Sequence, residues 1–154
     1  MMGSGKTTIG SMLSQSLNYD FVDTDQLIES QQKLMIADIF EQKGEMFFRD
    51  FEHDLLKNLM ISNTIVASGG GLPFYKNNWD LISQLGSTVF LNNSIDVLIS
   101  RLNNNSGVRP KFLNPDSFRL LYKQRLNTYK KSNHIINCNG LKKEEVVQKI
   151  LSFW

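Results

Sequence analysis

The chain opens Met1-Met2-Gly3-Ser4-Gly5-Lys6-Thr7-Thr8 and runs directly into apolar residues at helical spacing, Ile9, Met12, Leu13 and Leu17. A glycine-rich turn that delivers Lys-Thr to a helix start constrains the fold more than any other segment. Gly5, Lys6 and Thr7 fill the last three positions of G-x-x-x-x-G-K-[ST], the loop whose main-chain N–H groups surround phosphates. Gly3 and Gly5 allow close backbone approach, and the helix start adds the positive end of its dipole. Lys6 is suited to the β- and γ-phosphates, and the Thr7 hydroxyl to Mg²⁺. Ser4 and Thr8 complete the loop. A flexible Gly-Ser-Gly linker is the bland alternative, and the helix that follows at once argues against it.

Such a loop is fed by a β-strand, and the pattern's first glycine would fall one residue before Met1. We therefore expect the chain to start at an internal methionine or to have been clipped. About ten further residues would supply the strand and the glycine, at roughly 3.3 Å per strand residue. The alternative is a shortened chain that folds differently.

Behind the loop, helical and β patterns alternate. Asp20–Asp23 reads as a strand, 24–32 as a helix, and Ile36 onward as a second helix with a break at Gly44. Phe48, Phe51, Leu55 and Leu59 continue at steps of three and four to about Met60. Thr64–Ser68 is a β-branched strand ending in Gly69-Gly70-Gly71. Trp79–Leu85 is helical, Ser87–Leu91 a strand, Ile95–Leu102 a helix, and 103–117 a long polar loop. Phe118 to Lys131 is helical, His134–Asn137 a strand, and Lys142–Phe153 an amphipathic helix. This alternation predicts an α/β domain spanning 1–154, a parallel sheet with helices on both faces.

Four clusters carry chemistry. Asp23-Thr24-Asp25 ends a strand at the edge where open sheets gather ligands, although Asp25 could simply cap the next helix. Arg49 and Glu52 are three apart on a helix and can hold one another, or be only a surface pair. Gly69–Gly71 after a strand lets N–H groups approach a polar ligand, or is a plain turn. Arg109-Pro110 lies in the long loop, where Arg109 could be a solvated charge. Arg125 falls on the apolar side of its helix, beside Leu121, Tyr122 and Tyr129, where a guanidinium needs an anionic partner. The Phe47, Phe48 and Phe51 cluster reads as core. Phe153 and Trp154 are expected to pack the last helix, and His53 and His134 are read as structural.

A net charge of +2, with bases scattered among acids, gives no nucleic-acid signature. The single Cys138 excludes an internal disulfide and fits a reducing compartment. No apolar run reaches membrane-spanning length. We expect a cytoplasmic monomer with neither nucleic-acid nor membrane partner.

Taken together, the chain resembles the shikimate kinases, of the nucleoside-monophosphate-kinase-like group of phosphate-loop proteins. The resemblance rests on Met2–Thr8, Phe21–Asp25, Ile36–Phe40, Phe48-Arg49 through Glu52, Ser68–Gly71, Val108–Pro110, and Arg125 with Tyr129, in family order over nearly the whole chain. It implies a five-stranded parallel sheet of order 2-3-1-4-5 whose first, central strand is missing from this chain. It also implies a substrate-binding helical segment at 32–61 and a lid at 103–117. The implied activity is transfer of the ATP γ-phosphate to the 3-hydroxyl of shikimate, with Mg²⁺. By the same resemblance Asp25 takes the hydroxyl proton, and Arg49 and Arg125 clamp the carboxylate. Gly69, Gly70 and Gly71 line the shikimate pocket. Thr7 and Asp23 hold Mg²⁺, while Lys6 and Arg109 neutralise the phosphoryl group. Arg101 packs on adenine, and Asn137 begins the adenine-edge segment, which lacks the proline often found there. A gluconate or nucleotide kinase, or a shikimate-binding protein without turnover, are the competing readings.

Overall fold

The structure is a computed structural model that describes residues 1–104 and 114–153. It is an α/β fold of parallel strands and flanking helices. Helix α1 (Lys6–Leu17) starts behind Gly5, whose φ of 88° is left-handed, and ends at Asn18 in the same conformation. Strand β1 (Asp20–Asp23) follows, then α2 (Thr24–Gln32). The Asp23 carboxylate caps α2 by accepting from the N–H groups of Asp25 and Gln26. Helix α3 (Ile36–Lys57) is bent at Gly44, where φ 82° and ψ 165° interrupt the helical backbone, as the glycine in the sequence anticipates. It stops at Lys57, a turn short of the predicted end.

Strand β2 (Thr64–Ala67) leads through the glycine loop into a short 3-10 turn (Leu72–Phe74) and α4 (Asn78–Leu85). Strand β3 (Val89–Asn92), α5 (Ile95–Asn103), α6 (Pro115–Tyr129), β4 (His134–Asn137) and α7 (Lys143–Leu151) complete the order. Helix α6 begins before Phe118, because Asn114 caps it and Pro115 takes the first turn, where a missing N–H costs nothing. The expected loop therefore narrows to the span between α5 and α6. Most of it, with Arg109, lies outside the described residues, as does Trp154.

β1 pairs with β2 in parallel, Asp20 opposite Thr64 and Asp23 opposite Ala67. β3 pairs with β4, Val89 opposite His134 and Asn92 opposite Asn137. Among the described residues the strands thus form two separate parallel pairs rather than one five-stranded sheet. β2 and β3 face one another across a cavity of about 370 Å³ lined by Ile65, Val66 and Ala67 on one side and Val89, Phe90 and Leu91 on the other. Helix α1 closes one face of this space with Ile9 and Leu13.

Three apolar clusters hold the layers. One joins α1 to α7 through Ile9, Leu13, Val146, Val147 and Ile150. A second packs Phe90, Leu98, Phe118 and Tyr129. The third seals α2 on α3 through Ile28, Ile39 and Phe48, each contributing about 1.5–3 kcal/mol by burial. Phe48 is core as expected, but Phe47 is exposed, since it sits on the outer side of α3, where it stacks on Phe51 and lies under the Lys43 ammonium. Gly10 is where α1 meets β1, as a Cβ there would come within 2.7 Å of the Phe21 ring. No helix among the described residues is long and apolar enough to cross a membrane.

Candidate active site

The opening turn folds as a phosphate-binding loop. Gly3 and Gly5 both take positive φ, 72° and 88°, a conformation open to glycine and strained for other residues. Ser4 Oγ and Lys6 Nζ each donate to the Met1 carbonyl at 2.8 Å, so the lysine lies along the loop. Thr7 and Thr8 are exposed on the first turn of α1. The Thr7 hydroxyl donates to Asp23 Oδ2 at 2.6 Å, joining the loop helix to the end of β1. Arg101, on α5, donates through Nη1 to the Gly3 carbonyl at 3.2 Å and to Asn93 Oδ1 at 3.3 Å. Asn137 stands at the end of β4 opposite Asn92 and accepts from the Asn139 N–H at 3.2 Å.

The second half of the site surrounds Gly69–Gly71. Thr24 is buried and its hydroxyl accepts from the Gly69 N–H at 2.8 Å, which ties the start of α2 to the loop after β2. Asp25, next along α2, and Glu52 of α3 both converge on Gly69. A Cβ built there would lie 2.5 Å from Asp25 Oδ1 and 2.8 Å from Glu52 Oε1. At Gly71 the built Cβ would lie 2.5 and 2.6 Å from Arg49 Nη1 and Nη2. Arg125 of α6 donates through Nη1 to the Gly70 carbonyl at 3.0 Å. Gly70 itself rests against the backbone of Met1 and Met2. The tri-glycine loop thus brings Asp25, Arg49 and Arg125 together beside the phosphate loop.

The electrostatics centre on Glu52. It is fully buried, and its Oε2 pairs with Arg49 Nη1. Its Oε1 has no hydrogen-bond partner among the described residues. Burial pushes the Glu52 carboxyl up to about 7 against the pull of Arg49, and the nearby Asp25 adds to the rise. Arg49 also meets Glu45 through Nη2 at 3.4 Å, nearer solvent. The sequence offered Arg49–Glu52 as a surface pair or a mutual support, and burial decides for the second.

Thr24, Glu45, Asn93 and Tyr129 are contacts that motif reading left without a role. All four act through hydrogen bonds to main chain or to another side chain, which residue type alone does not announce. The signal for Tyr129 was its place four residues after Arg125, one helical turn on the same face.

A glycine loop feeding a helix, at the mouth of parallel strands and next to a pocket with two arginines and an aspartate, defines a phosphate-loop kinase acting on a small molecule. The family model described as "Shikimate kinase" matches residues 2–154. A shikimate kinase of Sulfurihydrogenibium sp. (strain YO3AOP1) is 38% identical over 153 residues, covering 98% of this chain and 92% of the relative. The structure superposes on a shikimate kinase from Acinetobacter baumannii in complex with shikimate. The TM-score is 0.91 at 31% identity, over 99% of this chain and 87% of that one. The Aquifex aeolicus enzyme gives a TM-score of 0.85 at 35% identity, over 99% and 90%. The chain belongs to the shikimate kinase family, whose members are ATP-dependent kinases and therefore transferases.

Proposed function

We propose that this chain transfers the γ-phosphate of ATP to the 3-hydroxyl of shikimate. The observation that supports this best is the convergence of Arg49 and Arg125 on neighbouring glycines, 71 and 70, with Asp25 on the next, 69. Two forked cations on one side suit a planar carboxylate, and a carboxylate base on the other suits an alcohol. Gly69, Gly70 and Gly71 form the floor between them.

The loop Gly3–Thr8 takes the triphosphate through its N–H groups, with Lys6 leaving the Met1 carbonyl for the β- and γ-oxygens. Arg101 lies against the loop at Gly3 and is assigned to the adenine side, as is Asn137. Thr7 and Asp23 offer hard oxygen donors 2.6 Å apart, which fits Mg²⁺ that keeps waters and phosphate oxygens as its other ligands. The ion supplies charge neutralisation on the phosphates. Asp25 accepts the hydroxyl proton as the new O–P bond forms and the bond to ADP breaks; positioning and charge carry the rate. Arg109 and the lid reading of 103–117 rest on sequence alone. Residues 32–61, which carry Arg49 and Glu52, are assigned as the substrate-binding segment.

We further infer that β1-β2 and β3-β4 are the outer pairs of one parallel sheet of order 2-3-1-4-5, in which the apolar space between β2 and β3 is the place of the central strand. Each pair is parallel within itself, and β2 and β3 line the space with Ile65, Val66 and Ala67 and with Val89, Phe90 and Leu91. A free, buried Cys138 supports a reducing, cytoplasmic setting. We propose a monomer that requires no nucleic acid.

The test is a coupled ADP-release assay with shikimate, gluconate and nucleoside monophosphates offered in turn. Shikimate-dependent turnover with little on the others is expected. Comparable rates on gluconate or a nucleotide would overturn the substrate, and shikimate binding without ADP release would make this a binding protein.

A further inference from the structure

Both proposed clamp arginines lie over a phenylalanine ring. The guanidinium carbon of Arg49 stands 5.1 Å from the centre of Phe48, and that of Arg125 stands 5.1 Å from the centre of Phe74. Their other partners differ in kind. Arg49 is also met by the carboxylates of Glu52 and Glu45. Arg125 donates to the Gly70 carbonyl at 3.0 Å, and the Tyr129 hydroxyl, one turn further along α6, donates to the same oxygen at 2.6 Å. A carbonyl and a ring face orient a guanidinium without cancelling its charge, which stays available to an incoming anion.

Phe74 is held by the turn beneath it. It ends the 3-10 turn Leu72–Phe74, in which Pro73 presets the backbone and the Phe74 N–H donates to the Gly71 carbonyl at 3.1 Å. Leu72 is fully buried, and its carbonyl accepts from Asn78 Nδ2 at 2.8 Å. Asn78 is fully buried too, and its Oδ1 accepts from His53 Nδ1 of α3 at 2.6 Å. The Phe74 ring meets the Tyr129 ring edge-on at 5.2 Å, which fixes its tilt. Phe74 nevertheless keeps 36% of its surface exposed, so burial alone does not call for a ring at this place.

We propose that Phe74 is a positioning residue for the substrate: its ring face sets the plane of the Arg125 guanidinium, so that the fork meets the substrate's carboxylate already oriented. The turn holds the ring, and the ring holds the arginine. The inference rests on the substrate being a hydroxy acid, as proposed above, and adds a side chain which that reading leaves without a role.

Phe74→Leu keeps an apolar side chain on the turn and removes the ring face, whereas Phe74→Tyr retains it. With shikimate, KM and the calorimetric Kd should rise about three- to tenfold in the leucine variant and stay within about twofold of wild type in the tyrosine variant. KM for ATP and kcat should hold within about twofold in both. An analogue whose carboxylate is reduced to an alcohol should lose no more than about twofold in affinity in the leucine variant. Equal losses in the two variants, no loss with leucine, or the same loss for acid and alcohol would show packing alone and overturn the proposal. If the wild type turns over a different hydroxy acid, the shikimate assignment falls, and the leucine-against-tyrosine comparison with that acid decides the role of Phe74. A wild type that takes no carboxylate overturns both.

Discussion

Arg49 holds the fully buried carboxylate of Glu52 with one nitrogen and turns the rest of its fork toward Gly71. The pair sets one half of the proposed carboxylate clamp, because the guanidinium cannot swing away without leaving the buried Glu52 carboxyl without its partner. Arg49→Lys keeps the charge and loses the fork. KM for shikimate should rise roughly ten- to a hundredfold, for a lost charge-assisted bond of about 1.5–3 kcal/mol. KM for ATP should stay near its wild-type value. Steady-state kinetics with each substrate varied in turn reads both, and an unchanged shikimate KM would remove Arg49 from the clamp.

Glu52 also makes stability depend on pH in a definite direction. Its folded value, about 7, lies above the ordinary 4.5. The folded state therefore holds its proton more tightly than the unfolded state does. The contribution is fully present below about pH 4.5 and is lost as pH rises to about 7. The loss is on the order of 3 kcal/mol. Glu52→Gln, which keeps an acceptor for Arg49, removes this step. Urea melts at pH 5 and pH 8 should show the wild type losing stability relative to the glutamine variant; parallel curves would mean that Glu52 is ionised throughout.

Asp23 serves both as cap of α2 and as partner of Thr7. Asp23→Asn keeps a good cap and loses the negative charge. Fold stability should hold within about 1 kcal/mol, while the Mg²⁺ concentration for half-maximal rate should climb severalfold. A magnesium titration of both proteins checks this, and identical curves would take Asp23 out of the ion's coordination.

The three glycines should respond differently to alanine. At Gly69 the new methyl would press on Asp25 and Glu52, and at Gly71 on Arg49, all at 2.5–2.8 Å. At Gly70 the nearest atoms are at 3.5 Å, ordinary contact. Gly69→Ala should chiefly lower kcat, Gly71→Ala chiefly raise KM for shikimate, and Gly70→Ala do least. Kinetics on the three variants would contradict this arrangement if Gly70 proved the most sensitive.

Much of this was legible in the chain because it is written in local chemistry. Asp20–Asp23, Thr24–Gln32 and His134–Asn137 fall where alternation and capping put them. The bend at Gly44 and the close of α1 at Asn18 follow from residues that tolerate unusual backbone. Arg125 stood out as a cation on an apolar face. What stayed hidden was long-range: that Arg125 and Tyr129 share the Gly70 carbonyl, that Thr24 reaches across to Gly69, and that Glu52 is buried rather than exposed. Each depends on which helices meet around the loop after β2, and spacing along one helix does not encode that. The early start of α6 was missed because Pro115 reads as a loop residue until Asn114 is seen to cap it.

The most direct test follows the phosphate itself. Shikimate, ATP and Mg²⁺ are incubated with the protein and the product is examined by ³¹P–¹H correlation. A cross-peak from the transferred phosphorus to the proton on carbon 3, absent with Asp25→Asn, is the expected result. Phosphate on another hydroxyl, or only free inorganic phosphate, would contradict it.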